Sequence, residues 1–137
     1  MGFLGNSASH IADANLIVQM ATLLLLLAGV YFVRTGRLKH HGRVMKSAIV
    51  IQFGALGIWM APSLILNIGA LSPLGTGPLF TLLHILGGVL ALTLAISAAL
   101  HRSVVFTELR RTMWTTFIVW SLAAIFGIAF YIHYYLS

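Results

Sequence analysis

The run FTLLHILGGVLALTLAISAALHR, residues 80–102, stays apolar across more than twenty positions. At a rise of about 1.5 Å per residue, a helix of that length crosses a hydrocarbon core of about 30 Å. Three further apolar segments of similar length occur, so the reading places four spans at about 11–33, 44–66, 79–101 and 112–135. Of 137 residues, 60% are hydrophobic and only 7% are charged, a balance no soluble domain of this size tolerates. The expected architecture is all-α: one integral membrane domain, a four-transmembrane-helix antiparallel bundle, with the lipid bilayer as its first partner. No room remains for a separate soluble domain.

The charges are sorted as strongly as the apolar residues. All eight basic residues (Arg34, Arg37, Lys39, Arg43, Lys46, Arg102, Arg110 and Arg111) lie in or beside the first and third connections. With four spans those connections share one side, which makes that side cytoplasmic and puts both termini outside a bacterial or archaeal plasma membrane. The high pI is therefore a topology signal and does not point to nucleic acid. The N-terminus has no basic region or small-residue cleavage site of a signal peptide, so residue 11 onward is expected to be retained. Cysteine is absent. That excludes disulfides, zinc–thiolate and iron–sulfur sites and a covalently attached heme. Any metal chemistry must use histidine, methionine or oxygen.

Residues 1–9 read as a short interfacial lead-in. Asn15, Gln19, Thr22 and Gly29 share one face of the first span, and a polar stripe in lipid points inward. Residues 34–43 read as a basic loop. On the second span Gly54, Gly57 and Ala61 offer a small face for packing, and Pro62 is expected to kink the far end. Residues 67–78 read as an exposed connection. On the last span Trp114 at one end and Tyr131, Tyr134 and Tyr135 at the other read as aromatic belts, while Trp120, Ala124, Gly127 and Tyr131 form a packing stripe.

Six histidines fall into two layers. His40, His41 and His101 lie at the cytoplasmic level; His10, His84 and His133 lie toward the outside. Two layers in a four-helix bundle match the way membrane b-type cytochromes hold hemes, one imidazole from each of two facing helices. On that reading His84 pairs with His10 or His133, and His101 with His41; His84, His101 and His41 are the candidate metal ligands. The bland alternative makes His40, His41, His101 and His133 interfacial residues and His10 a solvated one. His84 sits about a turn and a half inside its span and needs a partner. A hydrogen bond to Asn15 or Gln19 serves as well as iron. Gly88, Ala91, Ala95 and Ala98 continue its stripe and make room either for a flat cofactor or for a close helix. His84 and His101 are about 25 Å apart along the axis, long for two adjacent hemes.

Glu108, the only glutamate, reads as a surface ion-pair partner, and Met45, Met60 and Met113 as fillers. No carboxylate is expected inside the membrane, which argues against an ion-coupled transporter. No nucleophile–base pair or phosphate loop is visible, so hydrolytic and phosphoryl-transfer enzymes are not indicated.

HIADAN at 10–15, HGRVMKSA at 41–48, LLHI at 82–85, HR at 101–102 and WSLAAIFGIAFY at 120–131 resemble the domain-of-unknown-function 420 family. These are small four-helix bacterial and archaeal membrane proteins of the CtaM/YozB type, some linked to maturation of heme–copper oxidases. The resemblance implies roles for His41, His84 and His101, supported by Asn15, Met45 and Trp120. The chain lacks the family's usual proline at the start of the last helix and its tyrosine on the second. The function implied is a non-enzymatic respiratory accessory protein, in heme–copper oxidase assembly or as a small subunit of a membrane redox complex. The alternative is a b-type cytochrome binding heme b through the histidines above, and a purely structural subunit is the third class.

Overall fold

The computed structural model describes residues 2, 4–5, 8–62, 65, 76–100 and 108–136, apart from the side chains of 76–81 and 134. Regular structure among them is entirely helical. It comprises α1 (His10–Arg34), α2 (Leu38–Ala55) with a π-helical continuation Leu56–Met60, α3 (Thr76–Ala99) and α4 (Leu109–Tyr135). Three segments are long and apolar enough to cross a membrane: His10–Arg34, Leu82–Ala99 and Leu109–His133. Helix α2 is less apolar, because its first half carries Lys39, His40, His41, Arg43 and Lys46. His101, Arg102, Ser72 and most of the 67–78 connection lie outside the described residues.

The ends of α1 follow from its capping residues. Ser9 is extended and its Oγ accepts the Ala12 N–H at 3.2 Å, satisfying one of the first turn's free donors. At the other end Gly36 takes φ +72°, a left-handed position cheap only for glycine, and the Arg37 N–H reaches back to the Phe32 carbonyl at 2.8 Å. The turn is over by Arg37. The basic loop expected through residue 43 is therefore helix from Leu38, and His40 and His41 stand on α2. Lysine and arginine are good helix formers, so the helix runs on beyond the apolar stretch.

The small face expected at Gly54 and Gly57 is not the one that packs. A Cβ at either would meet nothing within 4 Å, and the buried residues of α2 are Ala48, Gln52 and Ala55. The glycines flank the start of the π-helical turn, directly upstream of Pro62, whose ring and missing N–H disturb the preceding turn.

Helix α1 packs chiefly on α2 and α3 on α4, giving two antiparallel hairpins joined through α1–α4 and α2–α3 contacts. Helices α2 and α4 thus face each other across the bundle, as both α1 and α3 touch each of them. Mid-bundle, Trp120 of α4 is buried against Leu26 of α1, Ala48 of α2, and Ala91 and Ala95 of α3. Small residues on α2 and α3 let one indole fill the centre, so the packing expected of the Trp120 stripe and of Ala91 and Ala95 is realised here. Gly88 takes no part, with open space where its Cβ would lie; the close approach between α3 and α4 is at Gly87, 3.3 Å from the Ala123 Cβ. Leu24, Phe53, Leu86 and Ile125 are exposed on the perimeter, an arrangement suited to lipid.

Candidate functional site

Three levels of polar chemistry flank the Trp120 plug. At the end holding both termini, Asp13 is completely buried. Tyr131 of α4 donates its hydroxyl to Asp13 Oδ1, and the Leu4 N–H donates to Oδ2 at 2.9 Å. Gly2 lies against the same carboxylate. Gly2 and Leu4 of the lead-in therefore lie at the Asp13 carboxylate, and Ala8 is buried. Asp13 also occupies the first turn of α1, where the positive end of the helix dipole favours a carboxylate. No carboxylate is expected inside a span, yet Asp13 is buried in the first turn of a helix long and apolar enough to be one. Tyr131, read as a belt residue as well as part of the packing stripe, is committed to the core. The only sequence signal was an aspartate in the first turn of an apolar span, where an unpartnered carboxylate is costly.

One level deeper, α1 and α2 bury Gln19 and Gln52, 3% and 7% exposed. The buried atoms Gln19 Nε2, Gln52 Oε1, Asn15 Oδ1 and Ser121 Oγ make no hydrogen bond. His84 belongs to this level. Its Nδ1 donates to the Ala123 carbonyl at 2.8 Å, a backbone partner in place of the expected Asn15 or Gln19. A carbonyl only accepts, which fixes the proton on Nδ1. The ring lies across Gly127, where a Cβ would stand 2.7 Å from His84 Cε1. Glycine at 127 is thus the notch that seats the imidazole.

Beyond the plug, at the basic end, residues of all four helices line a cavity of about 1030 Å³. Its walls are apolar and aromatic: Leu26, Met45, Ala95, Ala98, Met113 and Phe117 are among them. Three cations, Arg34, Lys46 and Arg110, line it, and so does His41. The His41 Nδ1 donates to the Gly29 carbonyl of α1 at 2.9 Å, which leaves the lone pair of the neutral ring on Nε2. Here the glycine notch is filled by another side chain: a Cβ at Gly29 would stand 2.8 Å from Met45 Sδ. Half of the small stripe on α3 therefore packs against Trp120 while Ala95 and Ala98 line space.

Among the described candidate ligands, His41 and His84 lie at different depths, and His101, the expected partner of His41, lies outside the described residues. Ala123, the partner of His84, is eight residues from Tyr131, and Gly29, the partner of His41, is sixteen from Asp13. Measured from the shared Asp13–Tyr131 level, the two imidazoles differ in depth by about 12 Å. One metal with bonds of about 2 Å cannot take both. His10 and His133 are exposed at the terminal end, two to three residues from that level, so neither stands opposite His84 across one iron. His40 is exposed, its ring 5.5 Å from that of Phe32. Among the described residues no group of three or more His, Asp or Glu side chains is placed to hold a metal ion. Glu108 is the exposed N-cap residue of α4.

No protein-family model, curated protein or solved structure matches the chain. The site is therefore read from its own chemistry: a buried carboxylate clasp, a polar layer, and an apolar cavity rimmed by cations with one imidazole nitrogen unspent.

Proposed function

We propose that the chain is a four-span accessory protein of the respiratory membrane, with its basic end cytoplasmic, which holds heme b in the basic-end cavity and acts in heme–copper oxidase assembly. One observation carries the reading. His41 lines a cavity of organic-ligand size with its Nδ1 already bonded to the Gly29 carbonyl, the outer-shell arrangement metal-bound histidines use to fix their tautomer. The donor set fits the group. His41 Nε2 would hold the iron, Phe117 and Trp114 would give aromatic wall, and Arg34, Lys46 and Arg110 would offer charge to the carboxylates of the group. When bound, heme supplies one-electron chemistry; the chain's part is to hold, shield and orient it. The family resemblance, which runs through His41 and Met45, supports the link to heme–copper oxidases.

The test is affinity purification from native membranes under mild detergent. Heme and oxidase subunits are expected to co-elute. A colourless protein without any redox partner, isolated from heme-replete cells, contradicts the proposal.

The competing reading is a structural subunit. His84 favours it, since that ring makes the same bond to a neighbouring helix and lies against Gly127. It predicts a partner complex that assembles and works when His41, His84 and His101 are all replaced.

A further inference from the structure

The heme reading leaves the second axial position open, and the sequence pairs His41 with His101. We infer instead that Met113 of α4 is the ligand trans to His41, so that the cavity is a histidine–methionine heme site. The inference rests on the proposed function above and adds to it the identity of the second ligand.

Three observations carry it. First, the cavity's lining side chains include one imidazole and two thioethers, His41, Met45 and Met113. Second, Met45 is one turn from His41 on the same helix and so shares its side of the cavity. Its sulfur is also spent on the Gly29 notch. Iron held from one side by His41 needs its other ligand from the opposite wall.

Third, α4 is that wall. Helices α2 and α4 are the diagonal pair, each touching α1 and α3. Depth can be counted from the Asp13–Tyr131 contact. Met113 lies eighteen residues down α4 from Tyr131, about 27 Å at 1.5 Å per residue. Gly29, which takes the His41 bond, lies sixteen residues down α1 from Asp13, about 24 Å. The two candidate ligands therefore agree in depth to within about 3 Å, whereas His41 and His84 differ by about 12 Å. Met113 is also not packed away: it is 38% exposed and is one of the residues that line the cavity. Leu109 and Phe117, one turn to either side of Met113 on α4, line the same cavity and present apolar surface to the edges of a macrocycle.

The experiment uses the purified full chain in detergent, titrated with hemin and read by absorption in both oxidation states. A low-spin ferric spectrum with a far-red sulfur-to-iron charge-transfer band is expected. Met113→Leu, which keeps volume and helix propensity, should abolish that band and give a high-spin, five-coordinate ferric form while the Soret band remains. Met113→His should restore a low-spin spectrum of bis-histidine type. The inference is overturned if Met113→Leu leaves the low-spin spectrum intact, and doubly so if His101→Ala or Met45→Leu removes it. Those outcomes leave heme binding standing. A chain that takes up no hemin at all overturns the proposed function itself, so the two failures are told apart. Circular dichroism of each variant shows that lost bands are not lost fold.

Discussion

His41 and His84 make the same bond in different surroundings. Each ring stands near a glycine and donates Nδ1–H to a carbonyl of the adjacent antiparallel helix, at 2.9 Å to Gly29 and 2.8 Å to Ala123. At the terminal end the His84 ring fills the Gly127 notch. At the basic end Met45 fills the Gly29 notch and the His41 ring is left along a cavity. One histidine is consumed by the fold; the other is held by the fold and presented. What separates them is the occupant of the notch, a property of the neighbouring side chain and not of the histidine.

The largest effect expected from breaking this contrast is at the terminal end. Gly127→Leu drives a side chain into the His84 ring and should destabilise the α3–α4 hairpin by about 1–3 kcal/mol or more, read as a lower midpoint in detergent unfolding. Tyr131→Phe comes next. It strips a hydrogen bond from the buried Asp13 and should cost about 1–2 kcal/mol in the same assay, with faster proteolysis of the lead-in. Gly29→Ala at the basic end should cost less than about 1 kcal/mol, because the atom it meets is the sulfur of a flexible methionine. It should still alter the cavity, read as a shifted Soret maximum. Gly88→Leu is the smallest. Open space at that position predicts a change of about 0.5 kcal/mol or less, and a large loss would mean that the α3 surface is misassigned.

The parts legible in the sequence were those governed by the solvent. Apolar length revealed the three helices long and apolar enough to cross a membrane, and the stripe through Gln19, Thr22 and Gly29 revealed the buried face of α1. The start of α2 was hidden, since hydropathy marks where a helix leaves an apolar phase and not where its hydrogen bonds end. The helix starts at Leu38, six residues before the expected 44, just past the left-handed Gly36 that ends the turn. Asp13 was hidden because its partners are 118 residues away on α4 and in the lead-in, and no local pattern encodes that meeting. The carbonyl partners of His41 and His84 were illegible for a similar reason. A backbone acceptor is present at every residue, so only packing selects Gly29 and Ala123. The cavity is likewise lined from all four helices, which no single helix records.

The most direct measurement is a reduced-minus-oxidised spectrum of the wild-type protein, His41→Ala and His84→Ala, each purified from heme-replete membranes. The account predicts a heme signal in the wild type, its loss in His41→Ala, and its retention in His84→Ala at lower thermal stability. A signal that survives His41→Ala and disappears in His84→Ala, or a flat trace from the wild type, contradicts the division of labour between the two histidines.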